Sequence, residues 1–361
     1  MAGVELDHVR QRIEANEERL SPHAARWRTS KGRKRTESPS PMRGEYQRDR
    51  DRILHTKAFR RLKHKTQVFI APQQDHFVTR MTHTLEVAQV ARTIARALNL
   101  NEDLVEAAAL GHDIGHGPFG HAGEEALAEC SPDGFRHNLQ SVRVLDVLES
   151  DGQGLNLTFE VLDAIEKSSK VRGDIFAEAW GVPETVEGQV VKTADAIAYV
   201  NHDILDAIRA GVITVQDLPR AVLHELGETH GERLDTMISD LVTSSWDVTG
   251  EIQAATPSGI RFSPRVNELA NELRDFMFDR VYLHGETRRE AERGKVIVKY
   301  LFHYFLHHPG QISSGFAIEG DPPGLRAADF VSGMTDRYAL RLAGDLGCDE
   351  ARDWKGWPPL R

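Results

Sequence analysis

Cysteine is nearly absent from this chain. Cys130 and Cys348 are the two present, and neither belongs to a CxxC pair. That excludes a thiolate zinc site, and reduced thiols are the expected state. No apolar run approaches the ~20 residues that a membrane-spanning helix needs. The N-terminus is charged from Glu5 onward and lacks the apolar core of a secretory signal, so a cytoplasmic location is expected. There is no internal repeat, no heptad seam and no glycine-rich phosphate loop. Strand-like runs are few, which leaves helix as the main structural element.

What is present fits a helical globule. The 361 residues suit one large domain or two modest ones, and 40% hydrophobic with 28% charged residues is ordinary for a folded protein. Helical spacing recurs over 4–20, 49–65, 79–98, 102–112, 121–129, 138–149, 158–167, 182–206, 222–244, 264–284, 288–307 and 322–342. Pro72 and β-branched and aromatic residues over 66–77 predict a loop or minor hairpin. The expected fold class is all-α, with at most that hairpin. Residues 1–44 read as a helix and a basic flexible linker, 45–210 as the core, and 211–361 as a helical region packed on it with subunit contacts.

Net charge is −10, yet basic residues dominate from Arg26 to Lys65. Such a stretch attracts phosphate, in a nucleotide or a nucleic acid strand, or is simply a solvated arm. The stretch over 29–42, rich in Lys, Arg, Ser and Pro, predicts a mobile linker.

The richest segment chemically is Leu110-Gly111-His112-Asp113-Ile114-Gly115-His116-Gly117. Adjacent His and Asp diverge by about 100° along a helix, but both reach one ion placed near the helix end. His83 lies mid-helix in an earlier element. Asp195 lies in an apolar stretch, where a carboxylate is costly to bury without a cation or hydrogen-bonding partner. Two imidazoles and two carboxylates suit Mn²⁺, Fe²⁺, Mg²⁺, Co²⁺ or Zn²⁺ with open water positions. Such an ion stabilises phosphoryl oxygens and activates water, the main requirement of phosphate ester hydrolysis.

The order His83 … His112-Asp113 … Asp195 resembles the HD superfamily of metal-dependent phosphohydrolases. Within it, five blocks resemble the deoxyguanosine triphosphate triphosphohydrolase family: RDRDRILHTKAFRRLKHKTQ ending at Gln67, HDIGHGPFGH (112–121), FRHNLQS (135–141), ADAIAYVNHD (194–203) and DFVSGMTDRYA (329–339). The resemblance implies cleavage of deoxynucleoside triphosphates into deoxynucleoside and inorganic triphosphate. It implies one divalent metal ion (Mn²⁺, Mg²⁺ or Fe²⁺) on His83, His112, Asp113 and Asp195. His121 becomes the catalytic histidine and Glu124 its carboxylate partner, three residues on and on one helix face. Arg80, His116 and His137 become phosphate contacts. Gln67 and Asp203 become contacts to the sugar 3′-hydroxyl, and Tyr199 stacks on the sugar. Lys167 lies where the family has a Lys-Tyr pair, but Ser168 and Ser169 follow here, which breaks that pattern. The block Met334–Tyr338 has no role derivable from sequence beyond packing or a subunit contact. The resemblance also implies a homo-oligomer (dimer, tetramer or hexamer) and a nucleotide or single-stranded DNA effector.

Two other readings remain open at this level. An HD enzyme acting on a nucleoside monophosphate, cyclic nucleotide or alarmone would use His116, His121 and His137 for a second metal. A nucleic-acid-binding regulator would act through the basic arm.

Overall fold

The helix over Arg80–Ala97 shows how the sequence dictates the architecture. Thr79 caps it, with its side chain accepting the Thr82 N–H, and Thr82 returns the favour to the Thr79 N–H. Its apolar residues then recur on one face, burying Val87, Val90, Ala91 and Ile94. The structure is a computed structural model that describes residues 6–68, 70, 77–169, 181–252, 259–283, 285–316 and 318–354. Helices of seven or more residues run α1 (Leu6–Glu17), α2 (Glu45–Leu54), α3 (Arg80–Ala97), α4 (Glu102–Gly111), α5 (Gly120–Cys130), α6 (His137–Arg143), α7 (Phe159–Glu166), α8 (Val186–Arg209), α9 (His230–Ser244), α10 (Pro264–Met277), α11 (Gly285–His307), α12 (Pro323–Ser332) and α13 (Asp336–Asp345). Among the described residues there is no strand or sheet, so the fold is all-α. The hairpin expected over 66–77 falls largely outside the described residues. Its flanks meet in one isolated antiparallel bridge, Thr66 to Thr79.

Helix α4 sits at the centre. Its Ala107-Ala108-Ala109 run is fully buried, and these small side chains let α2 and α3 pack closely on it while α8 crosses both α3 and α4. Each large apolar side chain buried here stabilises the fold by about 1.5–3 kcal/mol relative to exposure. A second apolar cluster forms from α5, α11, α12 and α13 around Phe119, Leu301, Phe302 and Val331. Ile114 belongs to the first cluster and Phe119 to the second, so the loop after His112-Asp113 passes from one core to the other.

Several helices stop earlier than hydrophobic spacing suggests. The helix expected over 49–65 starts at Glu45, ends at Leu54 and restarts at Lys57, because Thr56 turns its side chain to cap Phe59 N–H. The helix expected over 222–244 breaks at Gly227, whose φ of +124° leaves helical space. The helix expected over 322–342 divides at Gly333, and Thr335 caps a new helix by accepting the Tyr338 N–H.

The mobile basic linker expected over 29–42 is corrected by the structure. Arg33 is buried and paired with Asp49 and Glu45, and Glu37 pairs with both Arg48 and Arg52. Ser30 and the Lys31 N–H bond the Glu160 carboxylate. Arg33 supplies the counter-charge of carboxylates on α2, Glu37 that of arginines on α2, and these pairs with the Glu160 hydrogen bonds tie the arm down. Both cysteines are free thiols. No described helix is long and apolar enough to cross a membrane.

Glu17, at the end of α1, accepts the Trp27 N–H (3.1 Å) and Asn101 Nδ2 (2.9 Å) through one oxygen. Burial pushes its carboxyl up from 4.5 to about 7. Between these values the folded chain holds a proton that the unfolded chain has released, so stability falls as pH rises through that window. Glu17→Gln keeps the accepting oxygen and removes the titration. The thermal midpoint of wild type should therefore drop relative to Glu17→Gln as pH goes from about 5 to about 8. Parallel melting curves across that range would contradict the assignment.

Candidate metal centre and cleft

The site is assembled from α3, α8 and the loop that ends α4. His83 projects from the buried face of α3 and Asp195 from the middle of α8, while His112 and Asp113 stand at the end of α4. His83 Nε2 lies 3.2 Å from Asp195 Oδ1, and His112 Nε2 lies 4.0 Å from the same oxygen. One ligand atom each from His83, His112 and Asp195 falls within 4.8 Å of the others. Asp113 lies beside this trio: Oδ1 is 3.4 Å from His112 Nε2 and Oδ2 is 3.8 Å from His83 Nε2. It also belongs to a second trio with His116 and His137, again within 4.8 Å. Burial works against the Asp113 charge, but the Arg80 guanidinium donating to it helps hold the carboxyl well below the usual range.

The imidazoles are oriented from behind. His112 Nδ1 lies 2.6 Å from the Ala109 carbonyl, which can only accept, so that nitrogen carries the proton. The Nε2 lone pair then points inward, buried and with no hydrogen-bond partner among the described residues. An unpartnered buried acceptor is costly, and a cation is its natural complement. His83 Nδ1 is 2.8 Å from His202 Nε2, and His202 Nδ1 lies 2.8 Å from Asp203 Oδ1. Burial pushes His83 down to about 4, so it is neutral at pH 7 and its Nε2 is a donor atom. Imidazole nitrogens and carboxylate oxygens, with no sulfur, fit a divalent cation of borderline or hard character.

Arg80 enters from the first turn of α3. Its Nη1 donates to Asp113 Oδ2 at 2.7 Å, while Nε and Nη2 are buried with no partner among the described residues. His116 and His137 stack at 3.8 Å between ring centroids. His121 is exposed, with Nδ1 3.4 Å from Glu124 Oε2. Glu124 is not a partner of His121 alone. Its Oε1 accepts both His137 N–H and His137 Nδ1 at 2.8 Å. Burial opposes charge on His137, but Glu124 outweighs it and raises the imidazole.

A cavity of about 740 Å³ opens over these groups, lined by Gln67, Arg80, His116, His121, Tyr199 and Tyr282, among others. Asp203, expected to face the sugar, stands behind the wall instead. It is buried and its Oδ2 accepts the Tyr282 hydroxyl at 2.5 Å. Tyr282 thus occupies the space in front of it, stacked on Tyr199 at 5.8 Å. Lys167 turns away to Asp163, and Ser169 lines the cavity where the broken Lys-Tyr pattern left a question. Sequence reasoning missed Tyr282, Arg274 and Lys295, which line the cavity from α10, the turn after it and α11. They lie beyond the recognisable blocks in ordinary amphipathic helices. It also missed His202, although His202-Asp203 directly follows the Asp195–Tyr199 face.

The HD domain model matches residues 80–200, from Arg80 to one residue past Tyr199, and the phosphohydrolase-associated domain model matches residues 260–345. A deoxyguanosinetriphosphate triphosphohydrolase-like protein of Caldanaerobacter subterraneus is 50% identical over 89% of this chain and 90% of its own. One of Desulfatibacillum aliphaticivorans is 47% identical over 92% of this chain and 96% of its own. The chain belongs to this family. A phosphohydrolase structure from Bacteroides thetaiotaomicron shares the fold at a TM-score of 0.50 and 17% identity, covering 83% of this chain and 70% of that one. The HD domain implies a bound divalent cation and hydrolase chemistry. In this family member the matched HD segment carries all the metal-type ligands described above, and the associated segment contributes Tyr282 and Lys295 to the cavity.

The loop that presents these ligands tolerates no added volume at Gly115. A Cβ there would lie 2.2 Å from the Ser141 backbone nitrogen and 2.3 Å from the His137 carbonyl oxygen. The Gly115 N–H donates to Ser141 Oγ at 2.8 Å, and that hydroxyl donates to the His112 carbonyl at 2.7 Å. Gly115→Ala must push the loop off α6. It should cost about 3 kcal/mol or more in urea unfolding and weaken divalent-metal retention. A Gly115→Ala protein with unchanged unfolding midpoint and metal content would contradict this packing.

Proposed function

We propose that the protein hydrolyses deoxynucleoside triphosphates to deoxynucleoside and inorganic triphosphate. The observation that carries this reading is the arrangement of one cavity: two imidazole donors and carboxylates at its base, unpartnered arginine nitrogens beside them, and a wall of two stacked tyrosines. The volume suits a nucleotide, and the relatives are named deoxyguanosinetriphosphate triphosphohydrolase-like.

A divalent cation on His83, His112, Asp113 and Asp195 would draw negative charge from phosphoryl oxygens. Arg80, through Nε and Nη2, donates to the α-phosphate, where a guanidinium keeps its charge at any working pH. Water attacks the α-phosphorus and the bond to O5′ breaks. His121, exposed on the cavity wall, passes a proton to O5′, and Glu124 holds both His121 and His137 in register. His116 and His137 face the phosphates. Gln67 reaches the sugar 3′-hydroxyl, and Asp203 acts there through the Tyr282 hydroxyl. Tyr199 and Tyr282 fill the place of a 2′-hydroxyl and so favour deoxyribose.

A second reading has one observation in its favour. Asp113, His116 and His137 form their own potential ligand set. Two ions per chain would point to an HD hydrolase with a different nucleotide substrate.

The deciding experiment incubates the protein with each deoxynucleoside triphosphate and Mn²⁺ and identifies products by chromatography. Deoxynucleoside with triphosphate supports the proposal, and monophosphate with pyrophosphate refutes it. His121→Ala should lower turnover by about 10²–10⁴ while leaving metal content at the wild-type level. Near-normal turnover in that variant would remove His121 from the mechanism.

A further inference from the structure

The block Met334–Tyr338 lies in the phosphohydrolase-associated segment, yet one of its side chains reaches the backbone of the cleft. Asp336 opens α13, is 1% exposed, and spends its carboxylate on two amides. Oδ2 accepts the Thr66 N–H at 3.0 Å and Oδ1 accepts the Phe119 N–H at 3.1 Å. Thr66 immediately precedes Gln67, and Phe119 lies two residues before His121. One carboxylate therefore joins the backbones that carry two residues on the cavity wall.

The same place is crowded and strained. Phe119 adopts the left-handed conformation (φ 63°), which a bulky aromatic residue rarely takes without being held. Its ring is clamped, because a Cβ on Gly294 of α11 would meet it at 3.0 Å. A Cβ on Gly120 would lie 3.2 Å from Arg80 Nη2 and 3.3 Å from the Gln67 carbonyl oxygen. Arg80, the backbone at Gln67 and the start of α5 thus converge around Gly120 with little room for a side chain. Lys65, fully buried, donates to the carbonyls of His116 and Ser332 and ties the middle of the same loop to the end of α12.

We propose that Asp336 is a positioning residue for the hydrolysis: its carboxylate sets the distance between Gln67 and His121 by holding Thr66 and Phe119 to one anchor. This rests on the role given above to His121. Among the described residues the hydrogen bond of each amide goes to this carboxylate, so removing it takes that partner from both. Freed, Phe119 relaxes from left-handed space and α5 turns His121 away from the cavity. The associated segment is therefore part of the active site through a contact that touches no substrate.

Asp336→Asn tests this, since an asparagine keeps one accepting oxygen and points an N–H group at the other amide. Its kcat should fall about tenfold or more, with a smaller change in KM and unchanged metal stoichiometry. In a His121→Ala background the same substitution should cost less than about twofold, because the side chain it positions is gone. Equal losses in the two backgrounds, or no loss in wild type, overturn the proposal. Loss of the function reading looks different: His121→Ala itself would then keep its activity. If Asp336→Asn does not fold, Thr335→Ala replaces it. That variant removes the α13 cap and leaves the carboxylate, and its smaller kcat loss should again vanish beside His121→Ala. Hydrogen exchange on the unaltered protein gives an independent reading. The Thr66 and Phe119 amides should both exchange slowly although neither belongs to a regular ladder, and rapid exchange at either overturns the anchor.

Discussion

A carboxylate set among apolar neighbours in the middle of a helix needs a reason, and the half-buried Asp195 on α8 is the constraint from which the rest of this architecture follows. Drawing a carboxyl even part-way out of water costs free energy that a cation or hydrogen-bond donor offsets. Here it faces two imidazoles whose far nitrogens are already committed, one to the Ala109 carbonyl and one to His202. Their near nitrogens face Asp195. A divalent cation is the natural complement of such a set of nitrogen and oxygen atoms. The buried alanines of α4 permit the close approach of α3, α4 and α8 that brings those donors together.

Around this point the two apolar cores take different tasks. The first holds α3, α4 and α8 in register and so fixes the ligand atoms. The second supports α5, α11 and α13, which bring His121, Lys295 and Asp336 to the other side of the cleft. The loop from Asp113 to Phe119 is shared by both. Its backbone is held by Ser141 at one end, by Lys65 in the middle and by Asp336 at the other. Chemistry that depends on sub-ångström placement is thus built from side chains of separate helices, joined by hydrogen bonds to backbone.

Much of this was legible from the residues. Helical spacing announced an all-α chain, and the His83, His112-Asp113 and Asp195 pattern announced a metal-type site. Five ordered blocks announced the family. Other features were hidden for physical reasons. Basic residues over 29–42 read as a solvated linker because their partners, Glu45 and Asp49 for Arg33 and Asp146 for Lys34, lie in other elements and charge compensation has no local signature. The break at Gly333-Met334-Thr335 was visible as a stop followed by a cap, but apolar spacing continues through it and masked it. Tyr282 sits in an ordinary amphipathic stretch, and nothing local says that its hydroxyl will cover Asp203. The resemblance makes Glu124 a partner of His121, and the three-residue spacing agrees, whereas tertiary packing gives its shorter hydrogen bonds to His137.

The central claim is that Asp195 and the two imidazoles hold one divalent cation. Calorimetric titration of Mn²⁺ into metal-stripped protein, for wild type and Asp195→Ala, tests it most directly. The account predicts one tight site per chain in wild type and a loss of affinity of about 100-fold or more in the variant. Equal affinity and stoichiometry in the two proteins would contradict it.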